Sequence, residues 1–199
     1  MARRHHHYER AFEAFLRAER LPYVAVDEKR RSLVTPLADG TEQPSLKNVD
    51  FLVSPPGPTS YLVDIKGRKF PSGTHHKQYW RNWSTRDDLR SLAEWARYFG
   101  PDFAPLLVFA FQVMGDRSPL PAGDLWTFEE RRYAFVAVPL AEYWQAAHTL
   151  STKWDTVTMS ASDFRLAARD VRHWLKPKTW SPVETDSPSP TPADRSPAV

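Results

Sequence analysis

Apolar residues recur along the chain at two periods. From Arg3 to Arg20 they fall at Tyr8, Phe12, Phe15 and Leu16, one face of a 3.6-residue repeat, and Leu21-Pro22 ends the predicted helix. Glu9 and Glu13 lie four apart on one side of it, with Glu9 bordering the apolar stripe. Tyr23 to Thr35 reads as a strand that runs into the basic residues Lys29 to Arg31, and Pro36 to Pro44 as a loop. Val49–Val53 and Tyr61–Ile65 follow the two-residue period of strands. Ser54 to Ser60, a run of turn formers, joins them into a hairpin. Thr85 is placed to cap a helix over Arg86–Phe99, with Asp88 at capping-box spacing and Gly100-Pro101 as the stop. Pro105–Val113 is nearly all apolar, as in a strand buried on both faces. A strand at Tyr133–Val138, a short helix at Leu140–His148, a short strand at Val157–Met159 and a helix from the cap Ser162 to Leu175 complete the pattern. The order predicts an α/β fold with a mixed central sheet, plus C-terminal strand and helix additions. Residues 1–176 are expected to form a single domain. Residues 177–199, rich in Pro and Ser, lack the material for a core and are expected to be a disordered tail.

The hairpin carries the candidate chemistry. Val49, Phe51 and Val53 are expected to share one face, leaving Asp50 on the other; Tyr61, Val63 and Ile65 likewise leave Asp64 and Lys66 opposite them. A loop symmetric about Gly57 pairs position 50 with position 64, where directly opposed Cβ atoms sit roughly 4.5–5.5 Å apart. Two carboxylates that close repel unless a cation lies between them. Hard oxygen ligands select Mg²⁺ or Mn²⁺ over zinc. Asp50 and Asp64 are the expected metal ligands, with the Ile65 carbonyl as a third and Glu9 completing the site if the first helix packs across this sheet face. Lys66 would orient or deprotonate a water, or stabilise charge in the transition state.

Composition narrows the classes. With 41% hydrophobic and 26% charged residues in 199, the chain is globular. No apolar run reaches membrane-spanning length, and no apolar stretch near the N-terminus marks a secretory signal. Zero cysteines exclude disulfides and thiolate metal sites, and fit a reducing, cytoplasmic setting. The net charge of +3 is unevenly placed: residues 1–90 hold 16 Lys/Arg against 11 Asp/Glu. That asymmetry leans toward a polyanionic partner. Gly67 permits close backbone approach, and Arg68 and Lys69 beside it suit phosphate. The segment Thr74–Ser84, THHKQYWRNWS, sets His76, Lys77 and Arg81 among aromatics, as a nucleic-acid surface does. A loop pinned by buried Trp80 and Trp83 is the equal alternative. Chance places about one acid-x-Lys triplet in a chain with 24 acids and 8 lysines, and this chain has two. Asp27-Glu28-Lys29 lies in a polar run; Asp64-Ile65-Lys66 ends an apolar strand opposite Asp50.

At these residues the chain resembles the PD-(D/E)xK nuclease superfamily. The resemblance covers about Tyr8 to Val113: a helix with an acid, a strand, Asp50, Asp64-Ile65-Lys66, a helix, a strand. Val49 stands where the motif has its nominal proline. The resemblance implies a restriction-endonuclease-like αβββαβ core, a Mg²⁺-dependent (or Mn²⁺-dependent) phosphodiester hydrolase, and Glu9, Asp50, Asp64 and Lys66 as catalytic residues. It further implies nucleic acid as partner, DNA before RNA, and a possible homodimer. His7-Tyr8-Glu9-Arg10-Ala11-Phe12-Glu13 also resembles the string that names the uncharacterised bacterial HYExAFE family. Two other readings of the same fold stay open: a non-catalytic nucleic-acid-binding module, and a protein-interaction scaffold in which local Lys and Arg pin the aspartates.

Overall fold

The computed structural model describes residues 6–26, 46–72 and 80–176. Lys29–Arg31, the loop to Pro44, His76, Lys77 and the Pro/Ser-rich tail lie outside them. A seven-stranded mixed sheet carries helices on both faces. Helix α1 (His6–Ala18) is followed by β1 (Tyr23–Ala25), β2 (Phe51–Val53) and β3 (Ser60–Phe70), then by β4 (Ser84–Thr85), α2 (Arg86–Phe99) and β5 (Phe103–Val113). The sheet order is β1-β2-β3-β5, continued by β7 (Arg131–Pro139) and β10 (Arg169–Asp170), with β6 (Trp126–Phe128) also on β7. Pairing is antiparallel except between β3 and β5, which α2 connects in parallel. Helix, three antiparallel strands, helix and parallel strand give the expected restriction-endonuclease-like αβββαβ core. A second sheet, β4-β9-β8, is built from β8 (His148–Ser151) and β9 (Thr156–Thr158), with α3 (Leu140–Ala146), α4 (Ala161–Ala167) and α5 (Arg172–Leu175) as further additions.

Alternation on β5 sorts the interior into two cores. Leu106, Val108 and Ala110 face α1, whose Ala11, Phe12, Phe15 and Leu16 are fully buried against them. Leu107, Phe109 and Phe111 face α2, α3 and α4, where Leu89, Leu92, Tyr143 and Phe164 cover them. This is why Pro105–Val113 has no polar face.

Four expectations need correction. The strand predicted over Tyr23–Thr35 is seen only as β1, three residues long, within the described part of that stretch. The helix predicted over Ser162–Leu175 is two short helices separated by β10, and Ser160, not Ser162, caps the first by accepting the Asp163 N–H. One helix cannot serve here. Phe164 buries in the α2-side core, whereas Val171 and Leu175 bury in the α1-side core. The chain crosses the sheet edge between them and does so as a strand paired to β7.

The third correction concerns Val49. It packs in the α2-side core, opposite Phe51 and Val53. The chain bends at Asp50, whose N–H bonds the Val63 carbonyl at 2.9 Å while its own carbonyl accepts from Val26. That bend breaks the alternation by one step, as a bulge does.

The fourth is β3, which runs to Phe70 rather than stopping at Ile65. Gly67, Arg68 and Lys69 are therefore strand residues. The close approach that Gly67 permits is taken by Tyr8, whose ring would meet an added Cβ at 2.1 Å. Gly67→Ala is expected to cost about 1–3 kcal/mol, because a ring at the end of the α1-side core must move to admit a methyl. Urea unfolding measures it, and wild-type stability would mean that Tyr8 does not close over β3.

Candidate active site

Strand β3 is apolar at Leu62 and Phe70 on the α2 side, but Asp64, Lys66 and Arg68 fall between them on that same face. The register of β2 on β3 is Phe51↔Val63, Leu52↔Leu62 and Val53↔Tyr61, symmetric about Gly57 as predicted. Asp50 follows directly, beside Asp64. Together with Glu9, Asp64, Ile65 and Lys66 it lines a cleft of about 520 Å³. Helix α1 does pack across the sheet and bring Glu9 to this cleft, because Tyr8, Phe12 and Phe15 bury on the same turn-spaced face.

Asp50 is buried, and its Oδ2 accepts the Ile65 N–H at 2.5 Å. Burial raises the Asp50 carboxyl well above the usual range, and the nearby Asp64 and Glu9 charges raise it further against the Ile65 hydrogen bond. Burial likewise raises Asp64, more than Lys66 lowers it. Asp64 Oδ2 lies 2.7 Å from Lys66 Nζ, an ion pair.

Lys66 is clamped. Its ammonium lies between Asp64 Oδ2 at 2.7 Å and Asp88 Oδ2 at 2.8 Å. Burial alone would pull its pKa down, but the two carboxylates reverse that and hold it above the ordinary lysine range. With both carboxylates in contact, Lys66 is held as a cation. Asp88 comes from the first turn of α2. Burial would raise it, but Lys66 and Lys47 hold it far below the usual carboxylate range. Lys47 Nζ donates to Asp88 Oδ1 at 2.6 Å and pairs with Asp87 at 3.2 Å. The backbone of Lys47 is tied to α2 as well, through Ser91 Oγ and the Trp95 indole N–H.

The position of Asp88 is fixed from two directions. It is the third residue of a capping box in which Thr85 Oγ1 accepts its N–H and its carboxylate accepts the Thr85 N–H. Thr85 itself lies on β4, which β9 pairs. Asn82 adds a clamp just upstream: its Oδ1 accepts the Met159 N–H and the Thr158 hydroxyl, each at 2.8 Å, while Tyr143 donates to its carbonyl. The C-terminal additions thus hold the start of α2 against β3.

Of the predicted nucleic-acid residues, Arg68, Lys69 and Arg81 are among those described, and Arg68 and Lys69 fall on opposite faces of β3. Arg68 lines the cleft, with its guanidinium 4.0 Å from the Trp83 ring centroid and bonded to the Gly67 and Trp83 carbonyls. Burial lowers it to about 10. Lys69 points to the opposite face and is exposed, since neighbours on a strand alternate. Arg81 is exposed, and His76 and Lys77 lie outside the described residues. Trp80 is half-buried and packs edge-on to Phe70, Phe111 and Phe164 at the rim of the α2-side core, while Trp83 is half-buried in the cleft.

Sequence reasoning read Asp88 only as a cap, named Trp83 only within the basic and aromatic segment, and passed over Lys47. An acid at the start of a helix that follows a Lys-bearing strand was the available signal for Asp88. Lys47 carried none.

Among the described residues, no three His, Asp or Glu side chains form a preformed metal cluster. Two hard-oxygen carboxylates that burial raises, Asp50 further by the Asp64 charge, suit a cation that takes one or two protein carboxylates and leaves its other positions to water and phosphate.

No family model matches the chain, and no curated protein does. The His7–Glu13 string is therefore a resemblance of sequence alone. Among solved structures the fold is similar to that of Hjc, a Holliday junction resolvase from the archaeal hyperthermophile Archaeoglobus fulgidus. The identity is 12% over 85% of this chain and 98% of that chain, at a TM-score of 0.46.

Proposed function

We propose that this protein is a metal-dependent nuclease that hydrolyses phosphodiester bonds of DNA. One observation carries the reading: Asp50, Asp64 and Lys66 line one cleft, with both carboxyls pushed up by burial and Asp50 pushed further by the Asp64 charge. A fold does not keep two such acids side by side for stability, because each costs desolvation that only a cation or a proton relieves.

Asp50 and Asp64 would hold a Mg²⁺ or Mn²⁺ ion, with Glu9 at the cleft wall. Such an ion, when bound, lowers the pKa of a bound water and draws charge from a phosphate oxygen. The chain's own residues do the rest. Lys66, a fixed ammonium at the cleft floor, places positive charge where the transition state gains negative charge. Ile65 holds Asp50 in position through its N–H, and its carbonyl, next to Asp64 in the chain, would be a third ligand. Arg68 and Lys47 add positive charge along the cleft for the strand's phosphates.

Incubating the purified protein with supercoiled plasmid and single-stranded DNA, with Mg²⁺ or Mn²⁺, is expected to give cleavage that chelator abolishes. Cleavage that persists in an Asp64→Ala, Lys66→Ala double variant would defeat the assignment.

A further inference from the structure

We propose that Asp88 is a positioning residue, which anchors the Lys66 ammonium at the cleft floor once Asp64 turns to another partner. The inference rests on the nuclease reading for what Lys66 does, but the anchoring itself stands on geometry. Lys66 Nζ is shared between Asp64 Oδ2 and Asp88 Oδ2 at nearly equal distances, 2.7 and 2.8 Å. Its side chain is only 13% exposed.

The two carboxylates are not equivalent. Both touch the Lys66 ammonium, but Asp88 is also tied by its helix cap, by Ser84 and by Lys47. Asp88 is held on every side: its backbone N–H goes to Thr85 Oγ1, its Oδ2 also accepts from Ser84 Oγ at 3.3 Å and the Thr85 N–H at 3.4 Å, and its Oδ1 accepts from Lys47. A side chain with both oxygens engaged and its backbone capped has one position to occupy. Asp88 therefore keeps its place whichever partner Asp64 takes.

Any cation that engages Asp64 competes with Lys66 for the same oxygen. Without Asp88, a displaced ammonium would leave the cleft floor for solvent. With it, Lys66 keeps a partner and its place. Lys47 on Oδ1 balances the second charge of the pair, so that Asp88 can anchor Lys66 without neutralising the cleft.

The direct test is nuclear magnetic resonance of ¹⁵N-lysine-labelled, metal-free protein. A buried ammonium with a fixed partner gives a slowly exchanging ¹⁵Nζ–H signal. Wild-type protein and Asp64→Asn are expected to show this signal for Lys66, and Asp88→Asn to lose it. In cleavage assays Asp88→Asn is expected to lower kcat by about 10–100-fold with KM for DNA unchanged. Absence of the signal in wild-type protein, its loss in Asp64→Asn, or its survival in Asp88→Asn would overturn the anchor. Wild-type protein that shows the signal but cleaves nothing would instead overturn the nuclease reading and leave the anchor standing.

Discussion

Lys66→Ala is expected to lower the unfolding free energy by about 3–5 kcal/mol, because it leaves two buried carboxylates facing each other with their shared cation gone. Asp64 and Asp88 each keep only 15% of the side chain exposed, so water cannot take over the role of the ammonium. In the wild-type protein Asp88 sits below its unfolded value, so its contribution is present above the ordinary carboxylate range and is lost only as pH falls through the depressed folded value. Without Lys66, Lys47 still holds Asp88 down, but Asp64 loses the charge that lowers it most and favours protonation in the folded state, so the variant should gain more stability than wild type as pH is lowered from 7 toward 5. Urea titrations at the two pH values decide this. A loss below about 1 kcal/mol, the range of an exposed pair, would mean that Lys66 is not clamped.

Asp50→Asn is expected to separate stability from activity. Asparagine keeps an acceptor for the Ile65 N–H but removes a charge that burial, Asp64 and Glu9 all oppose. A carboxyl whose folded pKa is raised holds its proton in the folded state over a window where the unfolded chain has released it. Stability therefore falls as pH rises from the ordinary carboxylate range through the raised value, and above it the penalty is fully present. Each unit of such a shift corresponds to about 1.4 kcal/mol. Metal-free Asp50→Asn should thus be more stable than wild type by about 1–3 kcal/mol at pH 8, with the gain shrinking toward pH 4. Cleavage should fall by at least about 10²-fold, the scale of removing one preorganised charged group. A variant that is both less stable at pH 8 and fully active would place Asp50 in a structural role.

The hairpin was legible because strand alternation and a loop symmetric about one glycine fix a register, and a register fixes which residues meet. Helix α2 and its cap were legible because Thr85 and Asp88 satisfy a local hydrogen-bonding rule. The failures were of another kind. Val49 changed face because Asp50 bends the chain, and period-two reasoning does not see a bend. The helix predicted over Ser162–Leu175 has sound helical spacing, but its apolar residues feed two different cores. Gly67 seemed free for a ligand because the residue that fills its space, Tyr8, lies 59 positions earlier in the chain. The second partner of Lys66 went unseen because Asp88 arrives from α2, across the parallel connection. In each case a contact distant in sequence decided the outcome. The candidate acids themselves were readable, since burying charge on an apolar strand contradicts local chemistry and so announces itself.

The central claim is that Asp50 and Asp64 together hold a divalent cation in the cleft beside Lys66. Calorimetric titration of Mn²⁺ into the wild-type protein, Asp50→Asn and Asp64→Asn tests it most directly. Saturable uptake of Mn²⁺ by the wild type that either substitution abolishes is the predicted result. Uptake unchanged in both variants, or no uptake by the wild type at millimolar Mn²⁺, would contradict it.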